Sequence, residues 1–209
     1  RGLGAEVHLA GTTSLDRKER AEALQKERGL AMVPPFDHPW IIAGQSSCGV
    51  EILEQMPDAG TVLVPVGGGG LISGVALACA YHRAGIRVIG VEPEGAAKMS
   101  ASLRAGAPVT LPSARSIADG LVPSRPGDLT FAIVRSFVAD VVTVPDEAIR
   151  EAAVFLLKTE HLLVEWSGAV GVAALLSGAA RTFEVPTVIV LSGGNADPAL
   201  LLGLREDRF

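Results

Sequence analysis

The chain has 209 residues, enough to bury a substantial core in one or two domains. Its 48% hydrophobic and 20% charged residues suit a globular protein, and a net charge of −5 argues against nucleic acid or an anionic membrane as partner. No apolar run approaches the roughly 18 residues of a bilayer span, no signal-peptide pattern is visible, and two cysteines suggest no disulfide framework.

In chain order, Ala5–Ala10 reads as a strand ending at Gly11, and Ser14–Arg28 as a charged helix with Ser14 as its N-cap and Gly29 as its stop. Leu30–Val33 reads as a second short strand, halted by Pro34-Pro35. After Asp37-His38-Pro39-Trp40, the spacing predicts a helix over Ile42–Met56, a strand over Thr61–Val66, and a helix over Leu71–Tyr81. A strand at Arg87–Val91 follows, then helices at Ala96–Arg104 and Leu129–Val138 and a strand at Asp140–Val144. Thr143-Val-Pro-Asp146 has the form of a capping-box start for a long helix, and Ser167–Leu176 of a second, Ala-rich one. Thr187–Leu191 is a buried strand, Ser192–Asp197 a turn, and Pro198–Leu204 a closing helix. Strands alternate with helices, which predicts an α/β fold whose parallel sheet is covered on both faces.

The most informative stretch is Thr61-Val-Leu-Val-Pro-Val66 running into Gly67-Gly68-Gly69-Gly70 and then Leu71-Ile72-Ser73. Glycines between a strand and a helix let backbone N–H groups and a helix N-terminus face one anion closely. No Lys or Arg lies between Val62 and Arg83, so backbone dipoles, with the Ser73 hydroxyl as a candidate helper, would hold the ligand. A compact phosphate is the expected anion. The Gly-Lys-Ser/Thr of a Walker loop is absent, and G-x-G-x-x-G is missed because Ser73 stands where the third glycine belongs. Ser192 closes an apolar strand at the carboxyl end, where parallel sheets bind ligands.

Val64-Pro-Val-Gly-Gly-Gly-Gly-Leu-Ile-Ser-Gly74 resembles the phosphate-cup loop of the fold-type-II pyridoxal-phosphate enzymes, in the threonine/serine dehydratase and serine racemase group. Ala43-Gly44-Gln45, Gly90-Val91-Glu92-Pro93, Ile117-Ala118-Asp119-Gly120, Ser167-Gly168-Ala169 and Leu191-Ser192-Gly193-Gly194-Asn195 match in order. The resemblance implies a tryptophan synthase β-like twisted parallel sheet, with residues 1–38 the end of a smaller domain and 39–209 the larger, cofactor-binding one. It implies pyridoxal 5′-phosphate held by Gly67, Gly68, Gly69, Gly70 and Leu71, with Gly120 passing the ring edge and Ser192 bonding the pyridine nitrogen. The implied reaction is β-elimination from threonine or serine, giving a 2-oxo acid and ammonia, in a cytoplasmic homo-oligomer. Serine racemase, or a non-catalytic phosphate-binding remnant, is the alternative.

Three departures stand out. Some racemase and dehydratase relatives bind Mg²⁺ or Ca²⁺ through positions corresponding to Glu92, Ala96 and an acidic residue two further on. Lys98 stands at that last position, and an ammonium there would repel the ion or replace it. The family's early Ser-Phe-Lys motif, which supplies the lysine that bonds the cofactor, and its Ser-x-Gly-Asn-His-Gly loop are absent. Lys18, Lys26, Lys98 and Lys158 read as surface residues, so no catalytic residue is assigned within these 209 positions. With Arg1 rather than Met at its start, the chain reads as the C-terminal portion of such an enzyme. Trp166 replaces the proline of the family's Glu-Pro-Ser-Gly-Ala turn, which puts the start of the next helix and the role of Glu165 in question. His38, beside Pro39, and the two thiols, Cys48 and Cys79, read as structural.

Overall fold

The computed structural model describes residues 2–83, 85–181 and 185–196. They form two compact units, the first ending at Pro34 and the second beginning at Pro35.

In the first unit, helix α1 (Ser14–Arg28) is polar and buries none of its side chains. Its N-cap is Thr13 rather than Ser14: the Asp16 N–H donates to the Thr13 hydroxyl at 3.2 Å, and the Asp16 carboxylate accepts the Thr13 N–H at 2.9 Å. That reciprocal pair is a capping box, and it makes Ser14 the first helical residue. Gly29, in the left-handed region at φ 66°, ends the helix as expected. The strands expected at Ala5–Ala10 and Leu30–Val33 do not form. Strand geometry persists only when a neighbour completes the ladder, and no described strand pairs with either segment.

The second unit carries a four-stranded, wholly parallel sheet in the order β3-β2-β1-β4. β1 is Thr61–Pro65, β2 Arg87–Pro93, β3 Asp140–Val144 and β4 Thr187–Ile189. Thr61 pairs with Arg87 on one side and Thr187 on the other, so β1 is central and buried along its whole length. Among the described residues, six helices pack around it: α2 (Pro39–Gln55), α3 (Gly70–His82), α4 (Lys98–Ala105), α5 (Asp128–Phe137), α6 (Asp146–Thr159) and α7 (Trp166–Leu176). Leu63 faces α6 and α7 through Ile149, Leu156 and Val170, while Val62 and Val64 face α3 and α5 through Ile72, Val75 and Phe131. This two-residue alternation places a hydrophobic layer on each face, as the parallel-sheet reading requires. Each such fully buried aliphatic side chain contributes roughly 1.5–3 kcal/mol.

Some boundaries move for identifiable reasons. α6 starts at Asp146 with Pro145 as its N-cap and no side-chain cap, and the Asp146 carboxylate accepts the Ile117 N–H and the Ser116 hydroxyl instead of closing a box with Thr143. α7 starts at Trp166 with Glu165 as N-cap, one residue before Ser167, and the Arg150 guanidinium stacks 5.8 Å over the Trp166 ring. Trp166 is therefore the first residue of the helix. The expected closing helix, Pro198–Leu204, lies outside the described residues.

Candidate functional site

The glycine loop leaves the carboxyl end of the central strand. Val66 donates to the Val91 carbonyl at 2.9 Å, holding the strand exit to β2. Gly69, the N-cap of α3, sits at φ 99°, where a side chain is strained, and a Cβ there would lie 2.8 Å from the Thr130 Cβ. A Cβ on Gly68 would fall 2.3 Å from the Phe36 ring. The Gly68 carbonyl is turned toward α5, accepting the Thr130 hydroxyl at 2.7 Å and the Gly127 N–H at 3.3 Å. The N–H groups of Gly67, Gly68 and Gly69 donate to no backbone carbonyl among the described residues. Gly70 and Leu71 open α3, so their N–H groups have no partner within the helix. The peptides from Gly67 to Leu71 thus offer uncommitted donors at a helix N-terminus. That is the chemistry of a phosphate cradle.

Ser73 takes no part in it. Its hydroxyl is fully buried and faces the Thr130 carbonyl at 3.4 Å, so the helper role expected of it is corrected: one turn into the helix, it points at α5.

The α5 N-terminus that steadies Gly68 is itself capped from far away in sequence. The Asp37 carboxylate accepts the N–H groups of Asp128, Leu129 and Thr130 at 3.0, 3.0 and 3.1 Å. No local spacing could reveal a cap some ninety positions distant. His38 is the N-cap of α2, its Nδ1 accepting the Trp40 N–H at 3.2 Å, in keeping with a structural role.

Two further turns reach the same end of the sheet. Gly120 lies beside the loop, its carbonyl 3.1 Å from where a Gly67 Cβ would stand. The Gly120 N–H donates to the Ser167 hydroxyl at 2.9 Å, leaving the carbonyl as the peptide group turned toward the loop. Ser192 follows β4 and is exposed, in a turn held by Glu165. The Glu165 N–H donates to the Gly193 carbonyl at 3.1 Å, and its carboxylate accepts the Asn195 N–H at 3.0 Å. Gly168 lets the segments approach, since a Cβ there would lie 3.0 Å from Gly193 main-chain atoms. Glu165 and Ser167 therefore tie the Gly120 and Ser192 turns together, roles the sequence reading did not assign.

Below the loop lies a buried ionic cluster. Glu92 and Lys98 are both fully buried, with Lys98 Nζ 3.0 Å from Glu92 Oε1. The ammonium also donates to the carbonyls of Val66, Leu121 and Ala96 at 2.8, 3.0 and 3.1 Å. Glu92 in turn accepts the Met99 and Ser100 N–H groups and the Ser100 hydroxyl, each at 2.9 Å, which caps α4. Burial pulls the Lys98 ammonium below its ordinary pKa, and the adjoining Glu92 carboxylate opposes that pull. Lys98 is thus no surface residue, and a cation does approach the loop, from 32 positions downstream of Val66. Glu92 and Ala96, the candidate metal residues, both face this ammonium, so the donor set does not fit a divalent ion. Among the described residues, no cluster of three or more His, Cys, Asp or Glu could hold one elsewhere.

The thiols are free. Burial, with a smaller contribution from Cys48, pushes Cys79 up to about 11, which keeps it protonated and inert at neutral pH. Among the described residues, no helix is long and apolar enough to cross a membrane.

Comparison with known proteins finds relatives in both sequence and structure. The L-threonine ammonia-lyase of Geobacter sulfurreducens is 44% identical over 197 residues, 94% of this chain and 49% of the relative. The catabolic L-threonine dehydratase of Escherichia coli is 40% identical over 195 residues, 92% of this chain and 59% of the relative. Among solved structures, a threonine deaminase from T.th. superposes with a TM-score of 0.88 at 42% identity, covering 94% of this chain and 65% of that one. Maize serine racemase gives 0.87 at 37% identity, covering 97% and 63%. The chain spans about half the length of the curated L-threonine ammonia-lyases it matches. The family model for pyridoxal-phosphate dependent enzymes matches residues 1–193, and with the glycine cradle at the head of α3 it settles the matter: the chain belongs to the pyridoxal-phosphate dependent enzyme family.

Proposed function

We propose that this chain is the cofactor-cradle portion of a pyridoxal-phosphate-dependent threonine/serine dehydratase, which releases a 2-oxo acid and ammonia from a hydroxy-amino acid. The observation that carries the reading is the run of uncommitted N–H donors from Gly67 to Leu71, beside the Gly120 carbonyl and the exposed Ser192. When bound, the cofactor supplies the electron sink that lets an α-proton leave and a β-hydroxyl follow.

This chain's residues bind and orient. Gly67, Gly68, Gly69, Gly70 and Leu71 hold the phosphate through main-chain N–H groups. Ser192 offers a neutral hydroxyl to the pyridine nitrogen, and a neutral partner leaves that nitrogen less protonated than a carboxylate would. The Gly120 carbonyl borders the ring edge. Glu165 and Ser167 hold those two turns in register. The lysine that bonds the cofactor would come from outside these 209 residues. Residues 1–38 would belong to the smaller domain and 39–209 to the larger. Asp37 caps α5 and His38 caps α2, both in the second compact unit, which supports drawing that boundary a few residues earlier, near Pro35.

An apolar groove of about 440 Å³ along α2 and α3, lined by Ile42, Ala43, Val50, Leu77 and Tyr81, supports self-association into a homo-oligomer. Two free cysteines support a reducing, cytoplasmic setting.

The test is a titration of the chain with pyridoxal phosphate, with inorganic phosphate as competitor, followed by borohydride reduction and intact mass. Reversible, phosphate-competed binding with no specific adduct is expected. One stoichiometric adduct on Lys18, Lys26, Lys98 or Lys158 would show that the chain holds its own cofactor lysine, and binding indifferent to phosphate would remove the cradle. In the longest form of the protein, 2-oxobutanoate from L-threonine is expected. D-serine from L-serine without a 2-oxo acid would replace the dehydratase by a racemase, and neither product would leave a phosphate-binding remnant.

A further inference from the structure

The Lys98 ammonium has the surroundings of a bound cation. Four oxygens lie within 3.1 Å of Nζ: three main-chain carbonyls and one carboxylate oxygen. All-oxygen surroundings are what hard metal ions select. The carbonyls come from separate segments. Val66 immediately precedes the glycine loop, Leu121 ends the Gly120 turn, and Ala96 precedes α4. One buried positive charge therefore joins the two turns that border the cofactor site to Glu92, whose other bonds fix the start of α4.

We propose that Lys98 is a tethered cation that stands in place of a divalent metal, fixing the glycine loop and the Gly120 turn against Glu92 so that their geometry needs no added ion. The lysine stem enters from the first residue of α4, so the group that meets these four oxygens is delivered by the chain itself. A freely dissociating ion would make loop order depend on its concentration, because occupancy follows mass action. A side-chain ammonium removes that dependence. Lys98 is here a positioning residue: it holds the Val66 carbonyl, at the other end of the peptide that carries the Gly67 N–H, and touches none of the cradle's donors. The inference does not depend on which substrate or reaction the site serves.

The test compares the chain with Lys98→Asp by thermal melting in EDTA and in millimolar Mg²⁺ or Ca²⁺, with Ca²⁺ binding measured on the wild-type chain by calorimetry. The wild type should melt at the same temperature in all three solutions and bind no stoichiometric Ca²⁺. Lys98→Asp withdraws the ammonium and adds a carboxylate facing the same four oxygens. It should melt low in EDTA and rise by roughly 5 °C or more with the ion, and phosphate affinity should recover in parallel. Wild-type stabilisation by Mg²⁺ or Ca²⁺, or stoichiometric Ca²⁺ binding, would overturn the proposal. So would a folded Lys98→Asp indifferent to both ions. If that variant folds in neither solution, Lys98→Met decides: phosphate affinity equal to wild type in the folded Lys98→Met chain would also overturn it, and weakened affinity supports it.

Discussion

Two turns leave the carboxyl ends of neighbouring strands β1 and β2, and they treat their polar groups in opposite ways. After β2, Glu92 and Lys98 are fully buried, and both Glu92 oxygens and the Lys98 ammonium have partners among the described residues. After β1, the N–H groups from Gly67 to Leu71 donate to no backbone carbonyl among the described residues. A buried polar group left without a partner costs about 1–3 kcal/mol, so a fold tolerates such donors only where solvent or a ligand can reach them. The contrast separates a saturated scaffold turn from the candidate binding turn. The saturated cluster meets the loop through the Lys98 ammonium, which donates to the Val66 carbonyl one residue before Gly67.

Breaking the saturated turn should have the largest effect. Lys98→Met leaves the Glu92 carboxylate buried without its charge partner, and removing one member of such a pair costs about 3–5 kcal/mol. Urea unfolding should show the loss as a lower midpoint with an unchanged slope. Gly69→Ala attacks the cradle instead. It forces a side chain to φ 99° and brings a Cβ within 2.8 Å of the Thr130 Cβ. A stability loss of about 1–3 kcal/mol is expected, and it should come with weakened phosphate binding in calorimetry, sharpening the contrast between scaffold and site.

Asp37→Ala tests the support behind the cradle. Removing the carboxylate frees three N–H groups at the head of α5 and should cost about 1–2 kcal/mol in thermal unfolding. The smallest effect is expected at the exposed box on α1. Hydrogen bonds from the Thr13 main chain, then its hydroxyl and the Thr12 N–H, hold the Asp16 carboxyl below its ordinary 3.8. A folded-state pKa below the unfolded one stabilises the helix fully above the unfolded value and is lost as pH falls through the folded one. Far-UV circular dichroism on a fragment carrying residues 1–34 should therefore show α1 fraying as the solution is acidified below about 4, with Thr13→Ala, which removes the hydroxyl but keeps the main-chain donors, reducing the pH dependence.

Much of this was legible in local patterns. The apolar β-branched run Thr61–Val66, the four glycines and the following helix carry their own periodicity and turn chemistry, so the position of the cradle follows from neighbours in sequence. The alternation of strands and helices likewise gives a parallel sheet with two covered faces. The strands expected at Ala5–Ala10 and Leu30–Val33 fail for the opposite reason. Propensity proposes a strand, but only a neighbour in space completes one.

What the sequence by itself determined, then, is whatever depends on spacing of a few residues: which segments are helices, where the chain must turn, and where backbone donors are left for an anion. The tertiary structure alone decided which polar groups meet. Asp37 reaches α5 across more than ninety positions, Thr130 reaches Gly68 across 62, and Lys98 reaches Val66 across 32. A lysine in a sequence is a solvated surface charge until the fold surrounds it, because its ordinary hydration is worth more than any single pairing in water. Here the fold supplies four oxygens at once, and that convergence turns Lys98 from an apparent surface residue into the cation at the centre of the scaffold.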